Sequence, residues 1–159
     1  MGQDSQYCLL TTIIFVRYTI YMKFSIRVQY GLQALLELAM NYGGGPVQIA
    51  DVAASQKIPI RFLEQLMLIL KKGGLLQSVR GMYGGYTLAK RPSEITVLNV
   101  IEVLDGPLEL VGKKMKKLPV LAEAFEKIQN NIQKDLKTLT LEDLVMKERQ
   151  KERAYLYNI

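Results

Sequence analysis

Arg61, Glu64 and Gln65 set a guanidinium, a carboxylate and a primary amide at spacings of three and one, while Leu63, Leu66 and Leu70 fall on another phase. On a helix of 3.6 residues per turn the polar trio takes one side and the leucines the other. The trio combines a fork of donors, a pair of acceptors and an amide that does both. Such a set matches the edges of nucleic-acid bases: Arg can read guanine O6 and N7, Gln adenine, and Glu the amino group of cytosine. A second group follows close behind. Arg80 stands beside GMYGG, residues 81–85, with a β-prone run on each side, and Lys71, Lys72 and Lys90 flank the unit. A cation carried on a hairpin stem suits a narrow minor groove, and ammonium groups offset phosphate charge. Tyr83, in the turn, is one more candidate DNA contact. Arg61, Glu64, Gln65, Lys71, Lys72, Arg80, Tyr83 and Lys90 are therefore the candidate binding residues, with Gly81, Gly84 and Gly85 supplying the turn.

The charge distribution agrees. The chain of 159 residues carries a net charge of +6. Residues 23–92 hold nine basic side chains against only Glu37, Asp51 and Glu64, whereas residues 93–159 balance 11 basic with 11 acidic. Positive charge confined to one segment is the footprint of a surface that meets a polyanion. Other chemistries are excluded by composition. There is no histidine and one cysteine, Cys8, so no disulfide framework, no His/Cys metal site and no Ser-His or Cys-His nucleophile can be built from this chain. No catalytic residue, enzyme activity, metal or cofactor is expected.

These residues need a scaffold. From Ser25 to Tyr42, apolar residues at three- and four-residue spacings predict a helix stopped by GGGP at 43–46. Two closely spaced helices follow, at 49–55 and 61–72, with small Ala53 permitting a tight crossing, and Gly73-Gly74 ends the second. LLQSVR, GMYGG and YTLAK read as an antiparallel hairpin whose glycines supply positive φ; a phosphate-binding loop is the weaker rival, since no Gly-Lys-Ser/Thr ending follows. Thr96 caps VLNVIEVLD before Gly106-Pro107. After the basic connector GKKMKK at 112–117, Pro119 opens a long helix. Its Leu121, Phe125, Ile128, Ile132, Leu136 and Leu139 are spaced 4, 3, 4, 4 and 3. Flanked by Glu123, Glu126, Lys127, Gln133 and Lys134, that seam suits pairing with a second copy rather than with its own domain. TLEDLV at 140–145 reads as a short capped helix and residues 146–159 as a solvated charged tail. The apolar run at 8–16 is too short to span a bilayer, and residues 1–21 read as an N-terminal extension whose place in the native protein is open.

Helix, helix, recognition-like helix and hairpin, in that order, describe a winged helix-turn-helix with the hairpin as the wing. IRVQYGLQALLELA, GPVQIADVA, IPIRFLEQLMLILKKGGLLQSVRGMYGGYTLAK and ITVLNVIEVLDGPL resemble the Rrf2 family of bacterial transcription regulators, over residues 23 to about 110 and more loosely beyond. The resemblance implies a mainly α homodimer with a two-stranded wing and a long C-terminal dimerisation helix. It also implies base-reading roles for Glu64 and Gln65 and a minor-groove role for Arg80. Two departures stand out. Cluster-binding members place three cysteines before the dimer helix, where this chain has PLELVGKKMKKLP, so a thiolate-held iron–sulfur cluster is not expected. Lys57 replaces the glycine of the helix-turn-helix bend, where positive φ is costly for a residue with a Cβ, and Pro59 replaces serine at the start of the recognition helix.

The expected organisation is an extension at 1–21, a DNA-binding domain at 22–92, a linking helix and connector at 93–117, a dimerisation segment at 118–145 and a tail at 146–159. The expected function is sequence-specific regulation of transcription, as a repressor, by a cytoplasmic homodimer on double-stranded DNA, with no membrane role. The alternative function is an interaction protein that docks an enzyme or small effector through its basic connector. The alternative compartment is the stroma of an organelle of bacterial descent.

Overall fold

The computed structural model describes residues 24–110, 112 and 117–157. The N-terminal extension with Cys8, and most of the basic connector, lie outside the described residues. Six helices and one two-stranded sheet follow in order: α1 Ile26–Met40, α2 Ile49–Ser55, α3 Ile60–Lys72, β1 Leu76–Val79, β2 Gly85–Leu88, a 3₁₀ turn at Pro92–Glu94, α4 Val97–Asp105, α5 Pro119–Thr138 and α6 Leu141–Tyr157.

Local chemistry sets most of these boundaries. Ser25 caps α1, its hydroxyl accepting from the Val28 amide at 3.2 Å, which satisfies one of the amides a helix start leaves unpaired. The helix ends at Met40, two residues before the end read from the sequence, because Asn41 and Gly44 already form a turn in which the Gly44 amide donates to the Asn41 carbonyl at 2.9 Å. Thr96 and Asn99 cap α4 reciprocally, each side-chain oxygen accepting the other's backbone amide at 3.2 Å.

Val28, Leu35, Val52, Leu63, Leu66, Met67, Leu70, Ile95, Val100 and Leu141 are almost completely buried and form one core. Helix α1 runs through its centre, against α3, α4 and α6. Gly31 makes the α1–α4 approach possible, since a Cβ there would run into the Leu104 side chain.

Helix α6 departs from the sequence reading. A short helix and a solvated tail were expected, but α6 is continuous from Leu141 to Tyr157. Its start is pinned by backbone: the Val97 amide donates to the Leu139 carbonyl and the Leu141 amide to the Ile95 carbonyl, both at 2.9 Å. That pairing drops Leu141 and Val145 into the same core as Leu35 and Ile101. Arg149 then donates to the Met40 carbonyl at 3.3 Å, placing a cation at the C-terminus of α1, the end a helix dipole makes negative. The long helix α5 joins this body at its C-terminal end, where Leu136 packs against the core.

Candidate nucleic-acid interface

Helix α3 divides by face. Leu63, Leu66, Met67 and Leu70 are buried, and Phe62 meets Tyr30 of α1 edge-on, with ring centroids 5.8 Å apart. This fixes the rotation of the helix about its axis. Arg61, Glu64, Gln65, Leu68 and Lys72 consequently face solvent together. Among the described residues, no side-chain hydrogen bond or ion pair holds any of the four polar members; the ion pair that does occur, Lys151–Glu148 at 3.9 Å, is on α6. The face therefore presents donors and acceptors that have no partner to displace among the described residues.

The bend between α2 and α3 carries its own signature. The Ile58 amide donates to the Ala53 carbonyl at 3.0 Å and the Lys57 amide to the Ala54 carbonyl at 3.4 Å, the two bonds of a Schellman motif. Its left-handed residue is Lys57, φ 53°, the one non-glycine with positive φ among the described residues. The same motif closes α3, with the Leu75 amide on Leu70 and the Gly74 amide on Lys71, both at 3.0 Å, and there the left-handed residue is Gly74, φ 73°. Pro59 takes the cap position of α3, one residue earlier than a first-turn proline, and its carbonyl accepts from the Phe62 and Leu63 amides at 3.0 Å.

The hairpin pairs Leu76 with Leu88 through Val79 with Gly85. Of its three turn glycines only Gly81 has positive φ, at 123°, which corrects the assignment of that role to all three. Gly84 and Gly85 are needed for space. A Cβ on Gly84 would collide with the Val79 carbonyl oxygen, and one on Gly85 with the Val47 carbonyl. That close approach docks the wing on the loop before α2, where Val47 and Tyr86 exchange backbone hydrogen bonds of 3.0 and 2.9 Å. Nothing in the sequence pattern pointed to this third strand-like contact.

The candidate residues fall into three places. Arg61, Glu64, Gln65 and Lys72 share the α3 face. Lys71, exposed at the end of α3, donates to the Ser78 hydroxyl of β1 at 2.6 Å and ties that helix to the wing. Arg80 is exposed at the head of the turn, beside Met82 and Tyr83, which at 82% and 81% exposure are the most protruding apolar side chains of the wing. Lys90 stands apart, past the far end of β2, where it lines a cleft of about 600 Å³ with Asn41, Tyr42, Gln77, Tyr86 and Arg91. Leu68 was missed, although its phase, outside the Leu63, Leu66 and Leu70 stripe, already placed it with the polar trio.

On α5, Leu121, Phe125 and Ile128 are 47%, 38% and 47% exposed, Ile132 is half-buried, and Leu136 packs back on the core. Gln133 belongs to the tether of the helix rather than to a seam flank: its side chain donates to the Leu108 carbonyl at 3.2 Å, while the Gln129 side chain accepts from the Leu110 amide at 2.7 Å.

Comparison with known proteins agrees with this geometry. Residues 24–147 match the model of the Rrf2 family, described as iron-dependent transcriptional regulators. The transcriptional regulator CymR of Bacillus subtilis is 36% identical over 138 residues, covering 87% of this chain and all of that protein. The structure titled as CymR, the global cysteine regulator of B. subtilis, superposes with a TM-score of 0.70 at 35% identity, over 79% of this chain and 97% of that one. The regulator IscR of Escherichia coli is 43% identical over 88 residues, covering 55% of this chain and 54% of that protein. These bacterial relatives are named as regulators; they lend no support to the enzyme-docking alternative or to an organelle. No helix among the described residues is long and apolar enough to cross a membrane. As for the iron in the family's description, the described residues gather no group of His, Cys, Asp and Glu able to hold a metal, and the chain's single cysteine, Cys8, lies outside them. A thiolate-held cluster does not fit that donor set. With its helix-turn-helix, its wing and these relatives, the chain is a DNA-binding transcription regulator and belongs to the Rrf2 family.

Proposed function

We propose that this regulator acts in the bacterial cytoplasm as a homodimeric repressor that reads a pseudo-palindromic operator without an iron–sulfur cluster. The observation that carries the reading is the unpaired polar face of α3. Arg61, Glu64 and Gln65 sit on its first turns, the part of a recognition helix that reaches base edges in the major groove, and Lys72 sits nearer the phosphates. The wing then projects Arg80 towards the neighbouring minor groove, with Tyr83 beside it. Lys71 contributes charge while bracing the wing through Ser78. Lys90, at the opposite end of β2, adds to the basic field rather than to the wing tip.

Dimerisation is supported by the exposed row Leu121, Phe125 and Ile128, continued by Ile132, on a helix whose charged residues flank the row. Its near-heptad spacing makes a second copy the matching occupant. Two copies related by a two-fold axis would present two α3 helices to half-sites about one helical turn, ~34 Å, apart.

The test separates reading from charge. Glu64→Ala should change which base is preferred at one position of each half-site, because a carboxylate accepts only from a base amino group. Lys72→Ala should weaken binding to all sequences alike and reduce the salt slope by about one. An unchanged base preference in Glu64→Ala removes Glu64 from the reading surface.

A further inference from the structure

Leu68 lies at the centre of the α3 face, four residues after Glu64, three after Gln65 and four before Lys72, and it is 52% exposed. A single exposed leucine on a protein surface is ordinary. This one interrupts a row of hydrogen-bonding side chains on a helix whose opposite face is already filled by Leu63, Leu66, Met67 and Leu70. It has no position in the core to return to without rotating the helix against the Tyr30–Phe62 contact.

Resting on the DNA-reading role of α3 proposed above, we infer that Leu68 is a specificity residue that packs on the 5-methyl group of a thymine in each half-site. The chemistry of the groove leaves little else for it. Among the groups that base pairs present in the major groove, the thymine methyl alone is apolar, and the rest are donors and acceptors that an isobutyl group cannot satisfy. Set against cytosine, Leu68 would cover the amino donor without replacing its water, so the same side chain disfavours the wrong pyrimidine as well as favouring the right one. Its position, one turn further along than Glu64 and Gln65, puts the thymine next to the base pair those two address.

The methyl can be removed from the DNA without touching the protein. Affinity of the full chain is measured for its selected operator and for duplexes in which deoxyuridine replaces one thymine per half-site, position by position. One position should weaken binding about fourfold per half-site, the value of one methylene-sized apolar group, and Leu68→Ala should bind both duplexes at that position equally. If no deoxyuridine position weakens the wild-type protein, or if Leu68→Ala keeps the same methyl dependence, the inference is overturned while operator binding itself stands. Failure to select any operator would instead bring down the reading of α3, and the role of Leu68 with it.

Discussion

Lys57→Gly should make this protein more stable, although it deletes a whole solvent-exposed side chain. Lys57 holds φ at 53°, a left-handed conformation that costs an L-residue roughly 1–2 kcal/mol. Glycine removes that strain but returns about 0.4–1 kcal/mol through the greater freedom of its unfolded chain. The difference is a stabilisation of about 0.5–1 kcal/mol, which an m-value of about 2 kcal/mol/M turns into a rise of ~0.3–0.5 M in the urea midpoint. The molecule contains its own control. Gly74 occupies the same position of the same Schellman motif at the end of α3, at φ 73°, and no atom lies within 4 Å of where its Cβ would be. Gly74→Lys should therefore lower the midpoint by a similar amount, through backbone conformation alone. Both are read by reversible urea unfolding followed by circular dichroism. A Lys57→Gly midpoint at or below that of the wild type, or a neutral Gly74→Lys, would refute the argument that the bend is strained.

Gly85→Ala should cost about 2 kcal/mol, the two Val47–Tyr86 backbone hydrogen bonds at roughly 1 kcal/mol each, and should be visible as a lowered urea midpoint; an unchanged midpoint would mean that the loop absorbs the Cβ. If two copies pair through α5 as proposed, Phe125→Glu should weaken self-association roughly a hundredfold in sedimentation equilibrium, because a charge would be buried in the proposed seam. Arg80→Ala should reduce operator affinity most where the flanking minor groove is A·T-rich and narrow, and an equal loss on G·C-rich flanks would count against the wing contact. Asp143 accepts from the Thr140 hydroxyl at 2.7 Å and the Thr140 amide at 2.9 Å, and these bonds hold its carboxyl below the usual carboxylate range. A depressed folded-state value means stability that is present above the unfolded pKa and lost as pH falls through the folded one. The gap between the wild type and Asp143→Asn should thus be full at neutral pH and shrink below about pH 4, as measured by urea midpoints across that range.

Much of this architecture was legible because its signals are local. The Leu63, Leu66 and Leu70 stripe sets which side of α3 is buried, and the glycines at 73 and 74 mark where the helix must stop. The positive φ at Lys57 was foreshadowed only through the family resemblance, in which a glycine holds that place in the bend. What escaped depends on contacts between distant segments. Gly85 looks like a turn glycine until Val47, far back along the chain, is found against it. Residues 146–157 look like a solvated tail because their charges face water, yet Leu141 and Val145 anchor the same helix on α1 and Arg149 reaches the Met40 carbonyl. Gln133 looked like a seam flank, and only the fold shows its amide donating to the Leu108 carbonyl. Lys90 clustered with the wing in sequence, but the direction of β2 carries it to the other end.

The most direct test of the account is an in vitro selection of random duplex DNA by the purified, metal-free full chain. Emergence of a two-fold motif with half-site centres about 34 Å apart would establish a cluster-independent reader built on α3 and the wing. Recovery of sequences with no common motif, bound equally and weakly, would contradict it.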